Sequence, residues 1–241
     1  MEKFALVTGG ARRLGRQISY YLADEGYNLG IIYNSSPKSE LVRTSNYFKS
    51  KRIKLKFYKC DIKDLDQLKR TINRIGKDFG KIDLLVNNAG IIEKIDFEKI
   101  TRKIYDDILN TNLRAALFTA QYCLAYLMKS KKPQIINIAS VGGIQNWVKY
   151  FPYGISKAGV IKLTYLLAKR LAPKIRVNAI APGTIIIEGE ESKFVNHISA
   201  DKIPLKRYGN PKDIIEAVKF LISCDYLTGQ IIPVDGGRTL N

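Results

Sequence analysis

One histidine, three cysteines and 22 acidic residues against 40 basic ones, in 241 positions, exclude several kinds of chemistry at the outset. A lone His197 argues against a histidine-built metal centre or a histidine-dependent nucleophile triad, and no metal site is expected. Cys60, Cys123 and Cys224 are an odd, scattered set without metal-ligand spacing, which reads as reduced, mostly buried thiols of a cytoplasmic protein. No apolar run approaches the ~18 residues of a membrane span. The first residues run straight into a strand pattern, so neither a transmembrane segment nor a signal peptide is expected. The shortage of acid leaves a formal net charge of +18. Such a field attracts anions in general, from nucleotide phosphates to acyl carriers, acidic proteins and nucleic acid. The lysines and arginines are spread along the whole chain, however. Without a long basic run, a zinc finger or an RNA-binding aromatic motif, they read as a solvated basic surface with no specific nucleic-acid partner.

What the chain does have is a regular alternation of strand and helix patterns. Strands are predicted near 3–8, 28–33, 54–59, 83–87, 134–139, 175–181 and 230–234. Helices are predicted near 13–25, 38–50, 64–79, 101–129, 152–171 and 211–222. Asn210-Pro211 is a start signal for the last of these. With no repeat, linker or composition break, residues 1–241 read as a single α/β domain, a doubly wound parallel sheet with ligand at the carboxyl edge of its strands. Phe4-Ala5-Leu6-Val7 leads into Thr8-Gly9-Gly10-Ala11-Arg12-Arg13-Leu14-Gly15 and then a helical pattern. Strand, glycine turn and helix start place backbone N–H groups and a positive dipole end under a phosphate.

The chemistry-bearing residues come later. Tyr153 and Lys157 stand four apart on one helix face, with Ser140 thirteen residues before the tyrosine. An ammonium about 4 Å from the phenol, at an effective dielectric of about 20, is worth about 4 kcal/mol, enough to pull a phenol from about 10 toward neutrality. Tyr153 is thus expected to be an acid-base group tuned downward by Lys157, with the Ser140 hydroxyl beside the same reacting oxygen.

These motifs, with Asp61, Asn87-Asn88-Ala89-Gly90, Asn112, Asn178 to Gly183 and Asp235-Gly236-Gly237 in the same order, resemble the short-chain dehydrogenase/reductase family along essentially the whole chain. The resemblance implies a Rossmann domain with a seven-stranded parallel sheet, binding NADP(H). It assigns Asn112, Ser140, Tyr153 and Lys157 to catalysis, with Tyr153 giving the proton and Lys157 also holding the nicotinamide ribose. It assigns Gly9, Arg12, Arg13, Leu14, Gly15, Asn34, Ser35, Asp61, Ile62, Asn88, Ala89, Gly90, Pro182, Gly183 and Ile185 to the cofactor. It places a substrate lid at about 184–209 and implies a homotetramer packed through the long helix before the fifth strand and the helix bearing Tyr153.

NADPH is expected over NADH because no acid follows the second strand at Tyr33-Asn34-Ser35-Ser36, where one would hold a ribose 2′-hydroxyl, while Arg12 and Arg13 suit a 2′-phosphate. The substrate is left between two readings. Arg13, in place of the usual middle glycine of the loop, and the ending Gly236-Gly237-Arg238 resemble the pteridine and dihydromonapterin reductases. The Asn-Asn-Ala-Gly motif and the complete Asn-Ser-Tyr-Lys set resemble 3-oxoacyl-carrier-protein reductases, whose carbonyl substrate is small or carrier-bound. A serine at 140 favours a carbonyl becoming an alcohol, where the pteridine relatives usually carry an aspartate. A non-catalytic NADPH-binding protein and a binder of anionic partners remain as further alternatives.

Overall fold

A computed structural model describes residues 2–187 and 199–240. Seven strands, β1 (Lys3–Thr8), β2 (Tyr27–Tyr33), β3 (Leu55–Lys59), β4 (Leu84–Asn87), β5 (Gln134–Ile138), β6 (Arg176–Pro182) and β7 (Ile231–Val234), pair in parallel in the order β3-β2-β1-β4-β5-β6-β7. Side-chain alternation along each strand feeds two core layers. In β1, Phe4 and Leu6 pack with Leu68, Ile72 and Ile75 of α3 (Leu65–Phe79) and with Cys123 and Leu127 of α5 (Ala115–Leu127). Ala5 and Val7 face the other way, toward Ile18 and Leu22 of α1 (Arg13–Asp24) and Val218 and Leu221 of the C-terminal helix Pro211–Ser223. Each large aliphatic side chain fully buried this way stabilises the fold by about 1.5–3 kcal/mol. Among the described residues the remaining α-helices are α2 (Lys38–Phe48), α4 (Arg102–Leu109) and α6 (Phe151–Leu171), and Pro211–Ser223 is labelled α7.

Helix starts follow local chemistry. Asp64 caps α3 by accepting from the Gln67 N–H at 2.9 Å, and Asn210 with Asp213 forms a capping box on α7, with Pro211 in the first turn. Helix α1 differs: no side chain caps it and no acid stands in its first turn. Its open N-terminus sits where β1 is flanked by β2 on one side and β4 on the other, the point at which the strand order reverses and a crevice opens.

The helix predicted over 101–129 is present from Arg102 to Leu127 but is not α-helical throughout. A π turn at Asn110–Arg114 separates α4 from α5, and the Ala115 N–H donates to the Asn110 carbonyl five residues back. Asn112, whose side-chain bonds are described below, lies within this turn. A one-residue slip of this kind leaves the hydrophobic periodicity almost unchanged, which is why the sequence does not announce it. The lid expected at about 184–209 is described at its two ends. Gly209 donates to the Thr184 carbonyl at 3.0 Å and accepts from the Ile186 N–H at 2.9 Å, and a 3-10 turn spans Ala200–Lys202. Residues 188–198 of that segment, His197 included, lie outside the described residues. Among the described residues no helix is long and apolar enough to cross a membrane.

Candidate active site

The glycine turn after β1 is held down from below. Thr8 Oγ1 accepts from the Asn88 and Ala89 N–H groups, each at 3.0 Å. The Asn88 side-chain amide donates to the Thr8 carbonyl at 3.0 Å and to the Gly9 carbonyl at 3.3 Å. Gly9 has φ +66°, a left-handed conformation natural to glycine. A Cβ on Gly15 would overlap the Gly9 carbonyl and the Asn88 side-chain amide, so the helix start lies directly on the turn and on the residue after β4. Thr8 is the member of this clamp that the motif reading did not single out. The only signal for it is its place one residue before the turn.

Above the turn lies a cavity of about 1280 Å³. Every residue assigned from sequence to cofactor or chemistry lines it except Asn112. Its one end holds the uncapped α1 N-terminus, with an exposed Arg12 and with Asn34, Ser35 and Asp61 alongside. Arg13 stands at φ +51°, in the left-handed region that favours glycine. Asp61 is turned partly to its own loop, accepting from the Lys63 N–H at 3.0 Å through Oδ1. These residues fit a dinucleotide: a helix N-terminus without a side-chain cap and its dipole for the pyrophosphate, glycines where its backbone-close part would lie, and the Arg12 guanidinium at a rim where Tyr33 to Ser36 supply no acid.

The other end is built from buried side chains. Ser140 follows β5 and accepts from the Gly142 N–H at 3.0 Å, and its hydroxyl is hydrogen-bonded to Tyr153 in the first turn of α6. Lys157, one turn on, is buried with its Nζ donating to the Ile138 carbonyl at 2.8 Å and lying 5.8 Å from the centre of the Tyr153 ring. Asn112 stands behind this group. Its Oδ1 accepts from the Ile91 N–H at 2.8 Å, and its Nδ2 donates to the Ile91 carbonyl and to Ser156 Oγ, both at 2.9 Å. Ser156 Oγ in turn donates to the Tyr153 carbonyl at 2.7 Å. Asn112 thus ties the π turn, the loop after β4 and α6 into one unit.

The electrostatics correct one expectation. Tyr153 is not drawn down by Lys157 in this site. Burial raises the phenol above its ordinary value, and the Ser140 hydrogen bond opposes this only in part. Burial likewise lowers Lys157 to about 8. Both shifts have the same cause, the cost of holding charge in a dry pocket, and the Lys157 ammonium spends its hydrogen bond on the Ile138 carbonyl. Tyr153 therefore carries its proton at neutral pH, the state a proton donor needs.

The family described as enoyl-(acyl carrier protein) reductase matches residues 9–239. The 3-oxoacyl-(acyl-carrier-protein) reductase FabG of Staphylococcus epidermidis is 37% identical over 248 residues, spanning 98% of this chain and 99% of the relative. The chain belongs to the short-chain dehydrogenase/reductase family. It is an oxidoreductase of that family. Two solved structures show the same fold. A 3-oxoacyl-(acyl carrier protein) reductase from Brucella melitensis, in complex with NAD, has a TM-score of 0.89 at 29% identity, covering 100% of this chain and 98% of that one. ElxO with NADP bound has the same TM-score and identity and covers 100% of both chains. The short-chain dehydrogenase/reductase assignment thus rests on sequence and fold together.

Proposed function

We propose that the protein is an NADPH-dependent carbonyl reductase in which Tyr153 supplies the proton. The observation that carries this reading is the pairing of Ser140 and Tyr153, two neutral hydroxyls hydrogen-bonded to each other at one end of the cavity, whose other end offers the Arg12 guanidinium and, after β2 at Tyr33 to Ser36, no acid. When bound, NADPH supplies the hydride to the substrate carbon. Tyr153 and Ser140 donate to the substrate oxygen as negative charge develops there, which is where preorganised donors lower a barrier most. Tyr153 then releases its proton to that oxygen. Lys157 holds the ribose from its perch on Ile138, and Asn112 keeps α6 and the loop after β4 in register. Arg12, Asn34 and Ser35 receive the 2′-phosphate.

The 3-oxoacyl reductases among the relatives support a 3-oxoacyl thioester, small or carrier-bound, as the first substrate class to try. NADPH oxidation with acetoacetyl thioester, crotonyl thioester, dihydrobiopterin and simple ketones tests the reading. Turnover of the ketone functions and none of the enoyl thioester supports it. Faster turnover of the dihydropterin than of any ketone overturns it.

The same reading includes a homotetramer. Leu117 on α5 and Ile155, Tyr165 and Leu166 on α6 are large apolar side chains left exposed on the two helices expected to pack against their mates. Sedimentation across micromolar concentrations is expected to show a tetramer, and a monomer throughout would refute it.

A further inference from the structure

At the substrate end of the cleft an arginine is held in place by an aromatic ring and a hydroxyl, and among the described residues no carboxylate pairs with it directly. Arg238 sits in the turn that ends the described chain, half-buried, and lines the same cavity as Ser140 and Tyr153. Its guanidinium lies 4.3 Å from the centre of the Trp147 ring, and its Nη1 donates to Thr184 Oγ1 at 3.0 Å. The Trp147 indole is fixed in turn by donating to Gln145 Oε1 at 3.1 Å, while Gln145 Nε2 donates to the Arg238 carbonyl at 2.7 Å. Tyr150 packs edge-on to Trp147 with centroids 5.8 Å apart and precedes Tyr153 by one helical turn. The guanidinium is therefore two ring contacts and one turn of helix from the proton donor.

The nearby acid is already engaged. Asp235 accepts from the Gly237 N–H at 2.9 Å and from the Thr239 N–H at 2.7 Å, so it acts on Arg238 through its field and not as a direct partner. A guanidinium presents five N–H donors in a rigid fork. Here one is satisfied by Thr184 and a flat face by Trp147. A positive charge stacked, positioned and half-desolvated in a reaction cleft is a preorganised receptor for an anion. Its place in the same cavity as Tyr153 sets the kind of anion. A group it takes there can belong to the same small molecule as the reacting carbonyl, which describes a short oxo acid better than the distant phosphate of a carrier arm.

We propose that Arg238, stacked on Trp147 and held by Thr184, is a specificity-determining subsite for the carboxylate of a short oxo acid. This rests on the carbonyl-reductase reading above, but its test has a readout that does not require turnover. Trp147 is the only tryptophan of the chain, so its fluorescence reports the subsite alone. The probes are 4-oxopentanoate and its methyl ester, titrated against the NADP⁺-loaded protein.

A saturable change in Trp147 fluorescence is expected with the acid. It is expected to be about 10- to 150-fold weaker in affinity with the ester, the worth of one charge-assisted hydrogen bond. Arg238→Met should abolish the preference for the acid, Arg238→Lys should restore part of it, and Thr184→Val, which keeps the charge, should keep most of it. Equal response to acid and ester, no response to either, or an acid preference that survives in Arg238→Met would overturn the subsite. NADPH oxidation with the same two probes separates the two readings. If the acid binds and neither probe is reduced, the subsite stands and the carbonyl-reductase reading loses support. If both are reduced equally well and Trp147 responds to neither or to both alike, only the subsite falls.

Discussion

The two ends of the cleft are made of different material. At the glycine-turn end the working groups are backbone: the open N-terminus of α1, Gly9 at φ +66°, and Gly15 pressed on the Gly9 carbonyl. At the tyrosine end they are side chains taken out of water, and their proton affinities are set by that removal. A backbone site tolerates changes in most of its side chains because its donors come with the fold. A side-chain site has no such reserve. Substitutions at the tyrosine end should therefore cost activity outright, and those at the glycine-turn end should change preference.

The largest effect is expected at the proton donor. Tyr153→Phe keeps the ring packed and removes the hydroxyl that Ser140 bonds. General acid catalysis contributes about 10²–10⁴-fold, so kcat should fall by at least that with little change in cofactor affinity. Retention of more than roughly a tenth of the activity in steady-state kinetics would show that Tyr153 is not the donor.

Lys157 should reveal what the tyrosine end costs the fold. Its folded value of about 8, against an ordinary 10.5, means the unfolded chain binds more protons between those values. Stability contributed by this site therefore rises with pH from about 8 to about 10.5, and below 8 the buried ammonium weighs on the native state by about 3 kcal/mol. Lys157→Met should lose activity, yet at pH 7 lose little stability or gain some, despite leaving the Ile138 carbonyl without its donor. Urea unfolding at pH 7 and pH 9.5 checks the sign: wild type should gain on the variant at the higher pH. A constant difference would mean that Lys157 is not held near 8.

At the glycine-turn end, Arg12→Ala should leave kcat with saturating cofactor nearly unchanged. One charge-assisted hydrogen bond is worth about 1.5–3 kcal/mol, so the ratio of kcat/KM for NADPH to that for NADH should drop by about 10- to 150-fold. Equal efficiency with both cofactors in the wild type would remove the basis for the NADPH reading.

The contrast between the ends also explains what the sequence makes legible. Backbone sites leave a glycine signature, and the order of strands around Thr8 to Gly15 is enough to place the turn at the switch point. The pair Tyr153 and Lys157 is visible from helical spacing alone. What spacing does not carry is environment. The direction of the Tyr153 shift depends on how completely α6, the Ile138 carbonyl and the loop after β5 exclude water, and none of that is local in sequence. The π turn at Asn112 is hidden for a similar reason, since the partners of that side chain, Ile91 and Ser156, are 21 and 44 residues away. Trp147 and Tyr150 lie between Ser140 and Tyr153 in a stretch with no periodic pattern, and their link to Arg238 spans the rest of the chain.

The smallest effect sharpens the claim that the glycine-turn end is a backbone device. Arg13 adopts φ +51°, where an L side chain costs about 1–2 kcal/mol relative to glycine. Comparing the wild type with a glycine variant would mix that cost with the loss of the guanidinium's own contacts and with the greater freedom of glycine in the unfolded chain. A comparison of Arg13→Gly with Arg13→Val is cleaner on the first count, because both lack the guanidinium. Valine is the harder test, since β-branching crowds the backbone most where φ is positive. If the left-handed turn is required to bring α1 onto the strand edge, Arg13→Val should unfold in urea at a lower midpoint than Arg13→Gly, by a difference equivalent to about 1–2 kcal/mol, and should bind NADPH more weakly. Equal midpoints and equal affinities for the pair would mean that the loop reaches the same site without the left-handed residue.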